Sequence, residues 1–179
     1  LHDGPTLSYG LNNRANEYSA VNNKALTYDA AGSLTRDEKK YHYYYDFENR
    51  LVEVRRLATA PGPGPGPDAF GMEGAELYAL LGKFAYDALG RRIRATYYDG
   101  YDVVTADTLY YYDDQRVLAE FDYDEGTGEQ SLLRYFADGP LYVDEHLLMH
   151  DATTGQEYYY LLQELYTVAG LVDENGDLV

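Results

Sequence analysis

At 179 residues and 20.3 kDa the chain has the length of one domain, and a domain of that size is expected to bury roughly two-thirds of its unfolded surface without disulfide or metal staples. Fourteen Lys and Arg against 31 Asp and Glu leave a net charge of −17, which repels phosphate backbones and anionic headgroups and argues against nucleic acid or membrane surfaces as partners. The absence of Cys removes disulfides and thiolate metal sites, and no run approaches about 18 consecutive apolar residues, so no bilayer-spanning helix is expected.

The start, Leu1-His2-Asp3, is neither an initiator Met nor a signal peptide and reads as a processed or truncated N-terminus. Tyrosine supplies 22 positions while Trp is absent. Tyr-Asp occurs seven times, beginning at Tyr28, Tyr45, Tyr86, Tyr98, Tyr101, Tyr112 and Tyr123, where random placement would give about two. Three copies share a grammar: YDAAGSL from Tyr28, YDFENRL from Tyr45 and YDALGRRI from Tyr86.

A hairpin explains that grammar. Tyr closes an incoming strand, Asp29, Asp46 or Asp87 accepts hydrogen bonds from the amides ahead of it, and Gly32, Asn49 or Gly90 takes the left-handed conformation that reverses the chain. After the second copy, Pro61 to Pro67 reads PGPGPGP. No Pro there can donate to a ladder, so Ala58 to Gly74 is predicted as a long exposed loop. It separates a first block of hairpins, residues 1–57, from a second, residues 75–179, with one continuous sheet expected through both.

In the second block the period is two. Ile93, Ala95 and Tyr97 oppose Arg92, Arg94 and Thr96, and Val117, Ala119, Phe121 and Tyr123 oppose Leu118, Glu120 and Asp122. The clusters Tyr43-Tyr44-Tyr45, Tyr110-Tyr111-Tyr112 and Tyr158-Tyr159-Tyr160 put rings on both faces, which suits a sheet with neither a purely wet nor a purely oily face. Degenerate turn signals follow at Asp113-Asp114-Gln115, Asp124 to Gly128, Asp151 to Gly155 and Asp173 to Gly176, with Asn175-Gly176 predicted as a type I′ pair.

Catalytic and metal chemistry finds little support in this pattern. His146 and His150 form the closest histidine pair, but Glu145 precedes rather than follows the first of them, and four residues of strand separate ligands by about 13 Å. Asp173, Asn175 and Asp177 alternate like the first half of a calcium loop, with Gly176 one place early and no bidentate Glu after it. The acids between Asp99 and Asp107, and Asp122 and Asp124, read as solvated turn residues. Ser8, Ser19, Ser33 and Ser131 have no neighbouring His, and Gly126-Thr127-Gly128 lacks the Lys and helix of a phosphate cradle. No catalytic, cofactor-binding or metal residue is assigned, and no cofactor or enzymatic activity is expected.

The segments LTYDAAGSLT from Leu26, YYYDFENRLVEVRRL from Tyr43 and FAYDALGRRIRA from Phe84 resemble the YD-repeat, or rearrangement-hotspot (RHS), family, whose relatives include the shells of bacterial Tc toxins and of teneurins. Downstream, RYFADGPLYVDEHLL from Arg134 and YYYLLQELYTVAGLVDENGDLV from Tyr158 resemble the run that closes such arrays. The resemblance covers the chain from about Tyr18 onward. It implies an all-β fold of consecutive antiparallel hairpins forming a wound sheet, a segment of a shell that encloses a toxin or serves as an extracellular scaffold. Cargo-releasing members carry a self-cleaving cap with a D-P-x-G motif, whereas this chain contains no Asp-Pro and ends at Val179, about where that cap would begin.

A slice of such a sheet has an unpaired edge at each end, and Leu171 to Val179 shows no polar cap. The expected partners are therefore other YD repeats, of the same chain in a larger shell or of identical chains in a fibre. The rival reading is a carbohydrate-binding or adhesion module that stacks sugars on tyrosine faces, with a glycan as the partner; its weakness is the missing Trp.

Overall fold

The computed structural model describes residues 8–10, 17–57, 78–142, 145–164 and 167–179. The predicted Pro/Gly-rich loop of residues 58–74 lies outside the described residues. Among the described residues there is no α-helix, and therefore none long and apolar enough to cross a membrane.

Among the described residues fourteen strands follow in chain order. β1 (Ala20–Val21) and β2 (Lys24–Ala25) form a two-stranded ribbon. Asn22 and Asn23 between them both have positive φ, 48° and 60°, the signature of a type I′ turn whose twist matches the strands it joins. The rest are β3 (Thr27–Tyr28), β4 (Leu34–Arg36), β5 (Tyr41–Tyr45), β6 (Leu51–Leu57), β7 (Tyr78–Tyr86), β8 (Arg92–Tyr98), β9 (Val104–Asp113), β10 (Arg116–Tyr123), β11 (Gln130–Asp138), β12 (His146–Asp151), β13 (Gln156–Leu162) and β14 (Val168–Asp173). These make a 12-stranded antiparallel sheet in which sequence neighbours are sheet neighbours. That is the all-β succession of hairpins expected from the turn spacing.

The chain groups into two compact units, Leu1–Phe84 with Thr96–Thr105, and Ala85–Ala95 with Ala106–Val179. In the first unit, β5 pairs with β6 from Tyr41↔Arg56 to Tyr45↔Leu51, and β6 with β7 from Glu53↔Lys83 to Leu57↔Tyr78. In the second, β10 pairs with β11, β11 with β12, β12 with β13 and β13 with β14. Several ladders slip by one residue, as between Glu120 and Phe121 against β11 and between Leu161 and Leu162 against β14. Each bulge adds local twist and re-aims the side chains beyond it.

The core is far thinner than the chain length suggests. Among the described residues the buried hydrophobic side chains are Leu80, Ala95 and Ala119, joined by the polar Thr96 and Asp107. Ala95 and Thr96 are adjacent in β8 and so point to opposite faces, which means that both faces are covered at that point of the strand, while Ile93 and Tyr97 beside it are exposed. The tyrosines take up the difference by staying half-buried along the strands, as in the run Tyr41–Tyr45. Rings pair with neighbouring rings: Phe84 with Tyr97 at 6.1 Å between centroids, Tyr111 with Phe121 at 5.1 Å, and Tyr135 stacked on His150 at 4.9 Å. Each such contact adds roughly 0.5–1.5 kcal/mol beyond the area it buries.

Two expectations are corrected, one at a turn and one at a sheet edge. Asn175 does not take a positive φ; only Gly176 does, at 84°, and the reversal spans five residues from Asp173 to Asp177 rather than a type I′ pair. The outer edge of β14 is also not wholly open: at its end Leu178 bridges to Val172 and the Val179 amide donates to the Leu171 carbonyl at 3.0 Å.

Candidate functional site

A turn organised by one aspartate recurs among the described residues. At Asp46, Oδ1 accepts the amides of Glu48 at 2.9 Å and Arg50 at 3.0 Å, while the backbone closes through Asp46 N–H to Arg50 O and Asn49 N–H to Asp46 O. Asn49 has φ 60°. Asp87 repeats every element: Oδ1 takes the amides of Leu89 and Arg91, both at 2.9 Å, and Gly90 has φ 80°. So does Asp29, with Ala31 and Ser33 as donors and Gly32 at φ 88°. The three turns predicted from Tyr28, Tyr45 and Tyr86 thus have one geometry, a tight reversal followed by a left-handed residue.

In two of the three the second carboxylate oxygen is clamped as well. Arg50 reaches Asp46 Oδ2 through Nε and a terminal nitrogen, each at 2.7 Å, and Arg91 Nε reaches Asp87 Oδ2 at 2.7 Å. Burial raises the pKa of Asp46 and Asp87, but the amide and guanidinium donors outweigh it and hold both below the ordinary carboxylate range. Arg91 also donates to the Asp114 carbonyl and lies over the Tyr112 ring, 4.9 Å from its centroid. The third copy has Ser33 where the others have Arg.

The tyrosines of the motif act across hairpins. Tyr45 Oη donates to the Leu34 carbonyl at 3.0 Å, and Tyr112 Oη to the Arg92 carbonyl at 2.7 Å. Leu34 lies five residues after Asp29, and Arg92 five after Asp87, so each phenol is tied to the same place relative to an earlier Tyr-Asp turn, with one further aspartate turn, at Asp37 or Asp99, between them. Tyr28 Oη donates to the Tyr18 carbonyl at 3.1 Å.

Sequence reading missed a further copy. Asp37 accepts the amides of Lys39 and Tyr41, each at 2.9 Å, with Lys40 at φ 66°, and its other oxygen takes the Tyr43 hydroxyl at 2.9 Å. The spacing from Asp37 to Tyr41 was a usable signal; Lys in the left-handed position was not. Asp173 forms the same turn through the amides of Asn175 and Asp177, both at 2.9 Å. Asp124 and Asp151 make a version one residue longer, closed by Gly128 (φ 75°) and Gly155 (φ 73°).

Of the acids read as solvated, Asp107 is corrected. It is 3% exposed on β9 and receives Arg94 of β8 in a fork, Nε to Oδ1 at 2.9 Å and a terminal nitrogen to Oδ2 at 2.5 Å. Arg94 also lies over the Tyr123 ring, 4.8 Å from its centroid, and within 3.5 Å of Glu125. The bond to Asp107 raises the Arg94 pKa still further above its ordinary value. Asp99 behaves as a turn residue, accepting the Tyr101 and Val103 amides.

The two histidines of β12 do not converge. His146 Nδ1 is 2.7 Å from Asp138 Oδ1 and its ring lies 5.4 Å from Tyr160, while His150 stacks on Tyr135. Glu145 accepts the Leu141 amide at 3.0 Å in the connection before β12. Ser33 donates its amide to the Asp29 turn and Ser131 lies on β11, opposite Asp122.

No family model matches the chain, and no curated protein matches it. Among solved structures, it is similar to the crystal structure of TcdB2-TccC3, with 14% identity over 82% of this chain and a TM-score of 0.49. It is also similar to a mutant Tc holotoxin pore of Photorhabdus luminescens, with 17% identity over 82% of this chain and a TM-score of 0.48. The chain spans 7% of the length of the first structure and 6% of the second.

Proposed function

We propose that the chain is a structural, extracellular β-scaffold built from Tyr-Asp repeats, acting as a segment of a larger shell or as a subunit that self-associates through its sheet edges. The observation that carries this reading is the recurrence of one turn with one set of hydrogen bonds at Asp29, Asp46 and Asp87, coupled to phenol ties at Tyr45 and Tyr112. Polar groups in a catalytic site are arranged singly around a substrate; here they recur and satisfy the chain's own backbone. Several of the exposed rings that could stack sugars, Tyr97, Tyr111 and Tyr135, are engaged with neighbouring rings, which favours the scaffold over the carbohydrate-binding module.

Electron microscopy of the purified chain, with a glycan array at physiological salt, tests the reading. Hollow particles support the shell segment and filaments support edge-to-edge association. Discrete monomers that give selective glycan hits overturn the scaffold.

A further inference from the structure

In a chain of net charge −17, one concavity is lined by four cations. Its volume is about 390 Å³, and its walls are Lys24 and Ala25 of β2, Thr27 of β3, Arg36 at the end of β4, and the turn residues Asp37 to Lys40. All lie in the first compact unit.

Five of the cations elsewhere are already paired: Arg50, Arg55, Arg91, Arg94 and Arg134 each hold a carboxylate. Among the described residues, Lys24, Arg36, Lys39 and Lys40 hold none. The two acids in the wall do not fill the gap: Asp37 spends Oδ1 on the Lys39 and Tyr41 amides and Oδ2 on the Tyr43 hydroxyl, leaving its oxygens turned to its own turn. Four cations against Asp37 and Glu38 leave a surplus equal to the charge of a dianion. Gathering like charges without partners costs free energy unless something binds there.

We propose that this concavity is a binding site for a tetrahedral dianion, a phosphate or sulfate group carried free or as an ester. The Arg36 guanidinium supplies a planar fork and the lysines supply point charges from two separate stretches of chain, residues 24–27 and 36–40. Charges supplied from two stretches of chain can engage several oxygens of one tetrahedral group at once. The site is independent of the scaffold reading and stands or falls without it.

The test is isothermal titration calorimetry of the full chain at low salt with inorganic phosphate, sulfate and citrate in separate arms. The comparison variants are the triple K24Q/R36Q/K39Q and the control K83Q, which removes a charge from β7 outside the concavity. Saturable 1:1 binding of phosphate or sulfate is expected, weakened about tenfold or more in the triple variant and unchanged in K83Q. Phosphate alone or sulfate alone identifies the source of the dianion, and both together support the shared chemistry. No saturable binding, binding of citrate only, or an equal loss in K83Q overturns the proposal. Circular dichroism of the triple variant guards against misfolding; if its sheet signal is lost, K39Q alone on the exposed turn must still weaken binding, and failure to do so counts against the site.

Discussion

The Tyr45 hydroxyl donates to the Leu34 carbonyl across 3.0 Å, and that bond ties the Asp46 turn to the first residue of β4, the strand that leaves the Asp29 turn. The Tyr112–Arg92 pair repeats it in the second unit at 2.7 Å. A Tyr at this position therefore does two things with one side chain. Its ring fills the half-buried face where this fold has few aliphatic side chains, and its oxygen donates to a carbonyl of the neighbouring strand.

Replacing Tyr45 or Tyr112 by Phe keeps the ring and removes the bond. Each variant is expected to lose about 0.5–1.5 kcal/mol in urea denaturation. Tyr97 is the control: its ring meets Phe84, and its hydroxyl has no hydrogen-bond partner among the described residues, so Y97F should change stability by less than about 0.5 kcal/mol. Equal losses in all three would mean that the phenol ties contribute nothing particular.

The left-handed position separates conformational cost from crowding. Gly90 has φ 80° and nothing within 4 Å of where a Cβ would stand, so a substitution there meets backbone strain alone. G90V should cost about 1–2 kcal/mol or more, whereas G90N should stay close to wild type because Asn49 already fills the equivalent place. If G90V matches wild type in thermal melting, the turn does not depend on that conformation.

These turns were legible in the sequence because the chemistry is local: Asp, the left-handed Gly or Asn, and the closing amides all fall within five residues. Where the left-handed residue is Lys40, composition carries no signal, and the Asp37 turn was missed. The Arg94–Asp107 pair was illegible for another reason. It depends on which residues face one another on two strands, and nothing local marks Asp107 as different from the exposed acids around it. The expected generous core failed similarly, since counting apolar residues does not show whether they gather or spread along a ladder.

Burial makes the Arg94–Asp107 pair asymmetric. Arg94 is 28% exposed and Asp107 3%, so the cost of removing one partner depends on which charge is left behind. R94M strands a buried carboxylate and should cost about 3 kcal/mol, while D107N leaves an arginine that can reach water or Glu125 and should cost less than half as much. The double variant R94M/D107L should recover part of the R94M loss. Chemical denaturation of the three proteins checks the order, and D107N proving the more damaging would reverse the argument.

The ionisable groups of the ladder predict loss of stability at both ends of the pH scale. Asp46 and Asp87 are held below the ordinary carboxylate range against the upward pull of burial, Asp151 is lowered chiefly by the Thr153 hydroxyl, and Asp173 chiefly by the Asp177 amide. Stability from such groups is present above the unfolded value near 4 and is lost as pH falls through the lower folded values. Melting temperature should therefore drop below about pH 4 even though the net charge has by then left its strongly negative range and self-repulsion has eased. At the other end, burial raises the pKa of Tyr43, Tyr45, Tyr112 and Tyr160, with the Asp37 carboxylate adding to the effect at Tyr43. A phenol whose folded value is raised contributes stability that is whole below about pH 10 and is lost as pH climbs through the folded value. Phenolate absorbance near 295 nm should show a late-ionising class of tyrosines whose appearance coincides with loss of the β-sheet dichroism signal, and Y43F should shrink that class. Simultaneous titration of every tyrosine near pH 10 with the sheet intact would contradict the burial that the ladder requires.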